Sequence, residues 1–251
     1  MRMKHKKNFH SIVYIVLLLI LIALTIITCA KDSPTEAKKD DANTITDIDG
    51  NRYKIIKLGE QWWMAENLKV THYRNGDPVP NIIDNSEWKS LTSGAFCYYN
   101  NNTDNSQLYG ALYNWFAIND NRNIAPEGWH VPTDEDWKLL EITLGMEQAN
   151  VNKSGWRGTN EGGMLKEAGT KHWVEPNSGA TNESGFKALP GGSRYSSNGG
   201  FFDMGSYACF WSSYYDSNDF AWCRNFSYKR SDIFYGTFIT NYGFSVRCVK
   251  D

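Results

Sequence analysis

Five cysteines are the most reactive side chains of this sequence, and their positions divide them into two kinds. Cys29 closes a long apolar run, whereas Cys97, Cys209, Cys223 and Cys248 are spread through the rest of the chain. A thiol at the end of a secretory apolar segment is where bacterial lipid is attached, so Cys29 is expected to carry the acyl chains. The other four form an even set, which in an exported protein suggests disulfides with three possible pairings. Cys209 and Cys223 sit symmetrically about Asp216 in an expected hairpin, which favours a 209–223 cross-strand bridge and makes 97–248 the second pair. No Cys-x-x-Cys and no close Cys/His cluster occurs, which argues against zinc.

The acids and imidazoles suggest weaker chemistry. Asp47-Ile-Asp-Gly-Asn51 resembles the start of a calcium loop but lacks the remaining ligands and the terminal glutamate, so it reads as a turn. Asp134, Glu135 and Asp136 follow Thr133, and acids there suit the cap and dipole of a helix N-terminus. His130 and His172 stand beside Trp129 and Trp173 and read as core or turn residues. There is no Gly-x-Ser-x-Gly, no Walker loop and no His-Glu-x-x-His, so those hydrolytic machineries find no support. Between Tyr214 and Tyr242, aromatics mix with Asn, Asp and Ser. Tyr214, Tyr215 and Trp222 there could stack on sugar faces or anchor a protein, with amides supplying adaptable hydrogen bonds.

These residues depend on a chain of three parts. Arg2, Lys4, Lys6 and Lys7 precede an apolar run from Ile12 to Ile27, so residues 1–28 are expected to be a lipoprotein signal peptide. Residues 29–43 are the lipidated cysteine and a Lys/Asp/Ala-rich tether with no aromatic residue, too polar to bury a core. Residues 44–251 are long enough for one domain with a sizeable core. Without the leader, 22 basic residues face 28 acidic ones, a net charge of −6 that disfavours nucleic acid. All ten tryptophans lie beyond the leader and are expected mostly in the core.

The positioning elements follow from local pattern. Thr44 to Gly59 reads as two strands about the Asp49-Gly50 turn. Leu108 to Ile118 places Leu108, Leu112, Trp115 and Phe116 on one helical face despite Gly110. A second helix starts at Thr133, buries Trp137, Leu140 and Leu144, and stops at Gly145. From Gly185 the chain becomes short strands: Phe186–Leu189, Ser206–Ser213, Phe220–Tyr228, Ile233–Ile239 and Phe244–Val249. The expected class is α+β, with two helices, a small antiparallel sheet and long loops.

Several blocks go further. Gln61-Trp-Trp-Met-Ala-Glu-Asn-Leu-Lys69, Tyr109-Gly-Ala-Leu-Tyr-Asn-Trp115, Gly128-Trp-His-Val-Pro-Thr-Asp134, Gly179-Ala-Thr-Asn-Glu-Ser-Gly-Phe186, Leu189-Pro-Gly-Gly192 and Tyr242-Gly-Phe-Ser-Val-Arg-Cys-Val249 resemble the Fibrobacter succinogenes major paralogous domain, in that family's order. The resemblance implies a fold similar to C-type-lectin-like domains and to the sulfatase-modifying, formylglycine-generating enzymes. Those enzymes use two cysteines five apart to hold copper, whereas Cys209 and Cys223 are 14 apart, so the oxidase chemistry is not expected. On the lectin side, Glu175-Pro176-Asn177 is similar to the sugar-selecting tripeptide of calcium-dependent lectins. The nearest likeness to their second block is Asn218-Asp219, without its tryptophan, so a polar turn at Pro176 competes with a calcium site.

The expectation is therefore a non-enzymatic, lipid-anchored binding module for extracellular glycan or protein. It would sit at the outer membrane or cell surface of a Gram-negative bacterium, with no cofactor or with calcium at Glu175, Asn177, Asn218 and Asp219. A structural envelope protein without a small ligand is the alternative, and an enzyme related to the formylglycine-generating oxidases a third reading.

Overall fold

The first element is the hairpin that Asp49-Gly50 implies. A computed structural model describes residues 43–217 and 219–251, and in it β1 (Thr44–Thr46) pairs antiparallel with β2 (Arg52–Leu58). Asp47 builds the turn from inside: its Oδ1 accepts the amides of Asp49 at 3.0 Å and Asn51 at 2.9 Å, and Gly50 takes φ +81°. The chain reverses again through Gly59-Glu60 into β3 (Gln61–Met64), with Gly59 at φ +60° in the first central position that a tight hairpin reserves for glycine. Cys29 and Asn218 lie outside the described residues.

Ten further strands follow: β4 (Phe96–Cys97), β5 (Leu112–Tyr113), β6 (Trp129–His130), β7 (Gly155–Arg157), β8 (Gly191–Arg194), β9 (Phe201–Met204), β10 (Tyr207–Ser217), β11 (Phe220–Ser227), β12 (Ile233–Ile239) and β13 (Val249–Lys250). The helices are α1 (Asn85–Lys89), α2 (Ser106–Tyr109), α3 (Trp115–Ile118), α4 (Asp134–Thr143) and α5 (Glu161–Leu165). One sheet has the order β1-β2-β3-β13-β6, a second β7-β12-β11-β10-β8-β9, and β4 pairs with β5. The fold is thus mostly β with few helices, rather than two helices beside one small sheet, and α4 alone reaches ten residues.

The expected helix over Leu108–Ile118 is broken for a steric reason. Gly110 adopts φ +73°, and a Cβ there would come within 2.7 Å of Leu68 O. Ala111 and Tyr113 instead donate their amides to Leu68 O and Phe244 O, so the segment becomes α2, β5 and α3. Helix α4 forms as its signals require: Thr133 and Asp136 make a reciprocal capping box and Gly145 follows the C-terminus at φ +107°. Trp137 and Leu140 are buried as expected, and so are Asp134 and Glu141. Trp137 packs with Trp63, Phe186 and Phe210 in an aromatic cluster that joins the five-stranded sheet, α4 and β10. Phe186–Leu189 and most of Phe244–Val249 are irregular; their backbone groups are met by isolated bridges and by the buried Arg247, which donates to Phe186 O.

The disulfide expectation is corrected. Cys97, Cys209, Cys223 and Cys248 are all free, buried thiols. In the β10–β11 register Cys209 faces Asn225 and Cys223 faces Trp211, so the two are offset diagonally rather than opposed. Diagonal partners in an antiparallel pair stand beyond disulfide reach. Cys97 packs with Trp88, Ala95 and Leu112, whereas Cys248 belongs to a different core cluster. Burial pushes the Cys97 thiol up to about 12 and raises the other three as well, so none is a ready thiolate.

Candidate functional site

The β1–β2 turn leaves Asp49 pointing away from the loop that Asp47 fills. Its Oδ2 accepts the Thr71 amide and the Thr71 hydroxyl at 2.9 Å, and its Oδ1 lies 2.6 Å from His72 Nδ1. Burial pushes this carboxyl up, but the bonds from Thr71 and His72 outweigh it and hold the group below the usual range. Asp49 thereby fixes the strap after β3 against the hairpin turn.

Behind that strap runs a second polar chain. Tyr53 donates its hydroxyl to Asp47 Oδ2 at 2.6 Å and accepts the Lys69 amide at 3.0 Å, while Lys69 Nζ donates to Gln107 Oε1 at 3.1 Å. These bonds leave a cleft of about 370 Å³ lined by Asp49, Asn51, Lys69, Thr71, His72, Tyr98, Ser106 and Gln107. Every lining residue carries a polar group, polar and apolar surface line the cleft in near-equal shares, and Tyr98 supplies its one phenol ring. Ordinary ligand pockets are mostly apolar. An open wall of hydroxyls, amides, one ammonium and one phenol ring suits a ligand that is itself covered in hydroxyl groups.

The residues singled out from sequence do not meet in one place. Val174 donates its amide to Gly205 O and Ser178 donates to Tyr228 O, which seats Glu175 and Asn177 at the far end of the β10–β11 hairpin. Asp219 is at the hairpin tip. The eight-residue β11 separates them by about 25 Å at the rise of a strand. Asn177 is 4% exposed, takes φ +42°, and spends its amide N–H groups on Glu167 O at 2.9 Å and Gly169 O at 2.6 Å. It is a loop clamp. Glu175 is exposed.

At the tip, Tyr214 and Tyr215 are 54% and 44% exposed, with Phe220 and Ile239 paired beside them. Tyr215 packs tilted against Trp115 at 5.0 Å between ring centroids and its hydroxyl accepts the Asp219 amide at 3.1 Å. Trp222 is half-buried and stacked on Tyr235 at 4.2 Å with its indole N–H buried, so one ring face is already taken.

Two further groups escaped sequence reasoning. Under α4, Arg224 donates from Nε to Glu141 Oε1 at 2.6 Å and from Nη2 to Asp134 Oδ1 at 2.9 Å, and Arg157 Nη2 reaches Glu141 Oε2 at 2.6 Å. Burial pushes the Asp134 carboxyl up, yet Arg224 and Lys138 bring it below its usual range. Elsewhere Arg194, Arg247 and Lys166 are buried among backbone carbonyls: Lys166 Nζ donates to the carbonyls of Ser178, Ser227 and Arg230 at 2.8–3.0 Å. His130 joins Asp136 at 3.0 Å and Asp251 at 2.7 Å, and His172 joins Glu167 at 2.7 Å, so both act as ties between segments. Among the described residues no three His, Cys, Asp or Glu side chains gather to hold a metal ion.

No curated protein and no solved structure matches the chain significantly. The model of one family, the Fibrobacter succinogenes major domain, matches residues 56–250. That match covers the six-stranded sheet, β3, β6 and β13 of the five-stranded sheet, α4 and the cleft residues other than Asp49 and Asn51, and the chain therefore belongs to the Fibrobacter succinogenes major domain family.

Proposed function

We propose that this chain is a non-enzymatic saccharide-binding module, held by lipid on Cys29 at the outer membrane or cell surface of a Gram-negative bacterium, with the cleft between Asp49 and Gln107 as its binding site. The observation that supports it is that all eight lining residues of that cleft carry a polar group, the Tyr98 phenol among them. Hydroxyl-rich ligands need paired donors and acceptors at fixed positions, and folding has already fixed Asp49, Thr71 and His72 through one another and Lys69 through Gln107. Binding needs no calcium, a reading supported by the separation of Glu175 and Asn177 from Asp219. A non-enzymatic role is supported by buried thiols with raised pKa values, since oxidase chemistry of the related kind needs accessible thiolates. The finer fold reading, C-type-lectin-like and similar to the sulfatase-modifying enzymes, rests on the ordered motif blocks and on small antiparallel sheets joined by long loops.

A glycan array probed with the full chain tests the function. Saccharides should be retained equally with calcium and with chelator, and Gln107→Ala should weaken retention. An array blank in both conditions would remove the reading. A second reading, docking of a protein partner, is favoured only by the exposed Tyr214, Tyr215, Phe220 and Ile239 at the hairpin tip. Retention that survives Gln107→Ala but not Tyr214→Ser would move the site there.

A further inference from the structure

Helix α4 packs on one face of the six-stranded sheet, through Arg224 and Phe210. In the strand register Asn225 opposes Phe234 and Phe234 opposes Trp156, so these three side chains share the other face. There six aromatic rings form a continuous row: Phe202, Tyr195, Tyr242, Phe238, Phe234 and Trp156, with consecutive centroids 4.3, 5.1, 5.1, 6.2 and 5.5 Å apart. Phe202 lies on β9 and Trp156 on β7, the two edge strands, so the row crosses the full width of the sheet, about 24 Å at the spacing of paired strands. Every ring keeps part of its surface in water, and Phe202 is 39% exposed. The floor of this face is small: Cys209 and Cys223 belong to it, and a Cβ at Gly236 would stand 2.7 Å from Phe234 Cε1, so that ring lies down across the strand. Asn225 shares the floor, and its side-chain N–H groups have no partner among the described residues. Charged groups stand at the ends of the row: Asp203 accepts the Tyr195 hydroxyl at 3.0 Å, and Arg230, paired with Asp232, lies over Trp156 at 4.8 Å.

Rings of this size, each half-buried, together present less than about 500 Å². A stable protein interface covers roughly 800 Å² on each side, so a row one ring wide is too narrow for it. A sugar chain asks for less: each pyranose lays its C–H face on a ring and turns its hydroxyls to the amides and phenols beside it. We infer that the row is a second saccharide site, which takes an extended polysaccharide chain laid across the sheet between Trp156 and Phe202. None of the six rings lines the cleft at Asp49, so the inference goes beyond the cleft reading and does not depend on it. The cleft, at about 370 Å³, holds a short saccharide, whereas the row needs a chain long enough to touch both edges of the sheet.

The test is affinity electrophoresis of the full chain in detergent through native gels containing hydroxyethylcellulose, xylan, glucomannan or glycol chitin. At least one polymer should retard the chain, and its free hexasaccharide should relieve that retardation where its disaccharide does not. Trp156→Ala and Phe202→Ala should each weaken retention about three- to tenfold, the loss of one ring contact. Trp156→Tyr, which keeps a ring, should retain most of it. Gln107→Ala should leave polymer retention unchanged while weakening short saccharides on the array. Retention lost in Gln107→Ala but kept in both ring variants would overturn the inference and move the polymer to the cleft, leaving the saccharide reading standing. Equal loss in Trp156→Tyr and Trp156→Ala would overturn it too, because the residue would then be holding the sheet rather than a ligand. Retardation by no polymer would overturn the row whatever the array shows, and self-association abolished by Trp156→Ala in that case would assign the row to a protein contact.

Discussion

The cleft at Asp49 and the loop carrying Glu175-Pro176-Asn177 are made from the same kinds of residue, a carboxylate and an amide on a tight turn, yet they end with opposite polarity of purpose. In the loop, Asn177 turns inward and both amide hydrogens close on the carbonyls of Glu167 and Gly169. In the cleft, Asp49 turns its charge onto its own neighbours, and by doing so leaves Lys69, Gln107 and Asn51 with capacity facing outward. A binding surface is therefore defined by what folding has not consumed. Arg224 belongs with Asn177 on the inward side: its guanidinium is fully buried, with Nε on Glu141 and Nη2 on Asp134.

Perturbing the inward groups should change stability and spare binding, and the cleft should behave the other way. The largest effect is expected from Arg224→Leu, which leaves Asp134 and Glu141 buried with too little counter-charge; breaking such a pair costs about 3–5 kcal/mol. Urea unfolding should show that loss, and a change below about 1 kcal/mol would mean that the ionic layer is solvated. Asn177→Ala strands two carbonyls and places alanine at positive φ, for a loss of about 1–3 kcal/mol with saccharide affinity unchanged. Loss of affinity in that variant, with the fold intact by circular dichroism, would return the site to the Glu175 loop.

A smaller effect should appear with pH. Hydrogen bonding to Asp136 raises the His130 pKa, burial opposes it, and Asp251 adds to the rise. The folded-state pKa lies above the unfolded one, so the tie is fully present below the unfolded pKa and is lost as pH rises through the folded value. Stability should therefore decline above neutral pH by up to about 1 kcal/mol, the range for a partly exposed ion pair, and His130→Gln should flatten that decline. The smallest stability effect is expected from Lys69→Gln, within about 0.5 kcal/mol, although the same change should weaken saccharide binding.

Much of the fold was legible in the sequence where the signal is local. The Asp49-Gly50 hairpin, the Thr133–Gly145 helix and strands β11 and β12 all follow from turn chemistry, capping and alternation. Gly110 marks the failure, because a helical stripe was read through a residue whose left-handed backbone is imposed by the distant Leu68 and Asn67. The cysteine pairing failed on a two-residue offset in strand register, which spacing about Asp216 does not reveal. The cleft was illegible for a similar reason: it joins segments around residues 49, 71, 98 and 107 through contacts such as Asp49 to His72. Nothing local in the sequence marks Glu141 as buried, since its partners Arg157 and Arg224 come from two separate strands.

The central claim is that the outward-facing polar groups of the cleft form the binding surface. Amide chemical-shift mapping of the lipidated chain in detergent, titrated with a saccharide retained on the array, tests it most directly. The account predicts saturable shifts concentrated at Asn51, Lys69, Thr71, His72 and Gln107, with Asn177 and Asp219 still. Shifts concentrated at Tyr214, Tyr215 and Phe220, or at Glu175 and Asn177, would contradict it.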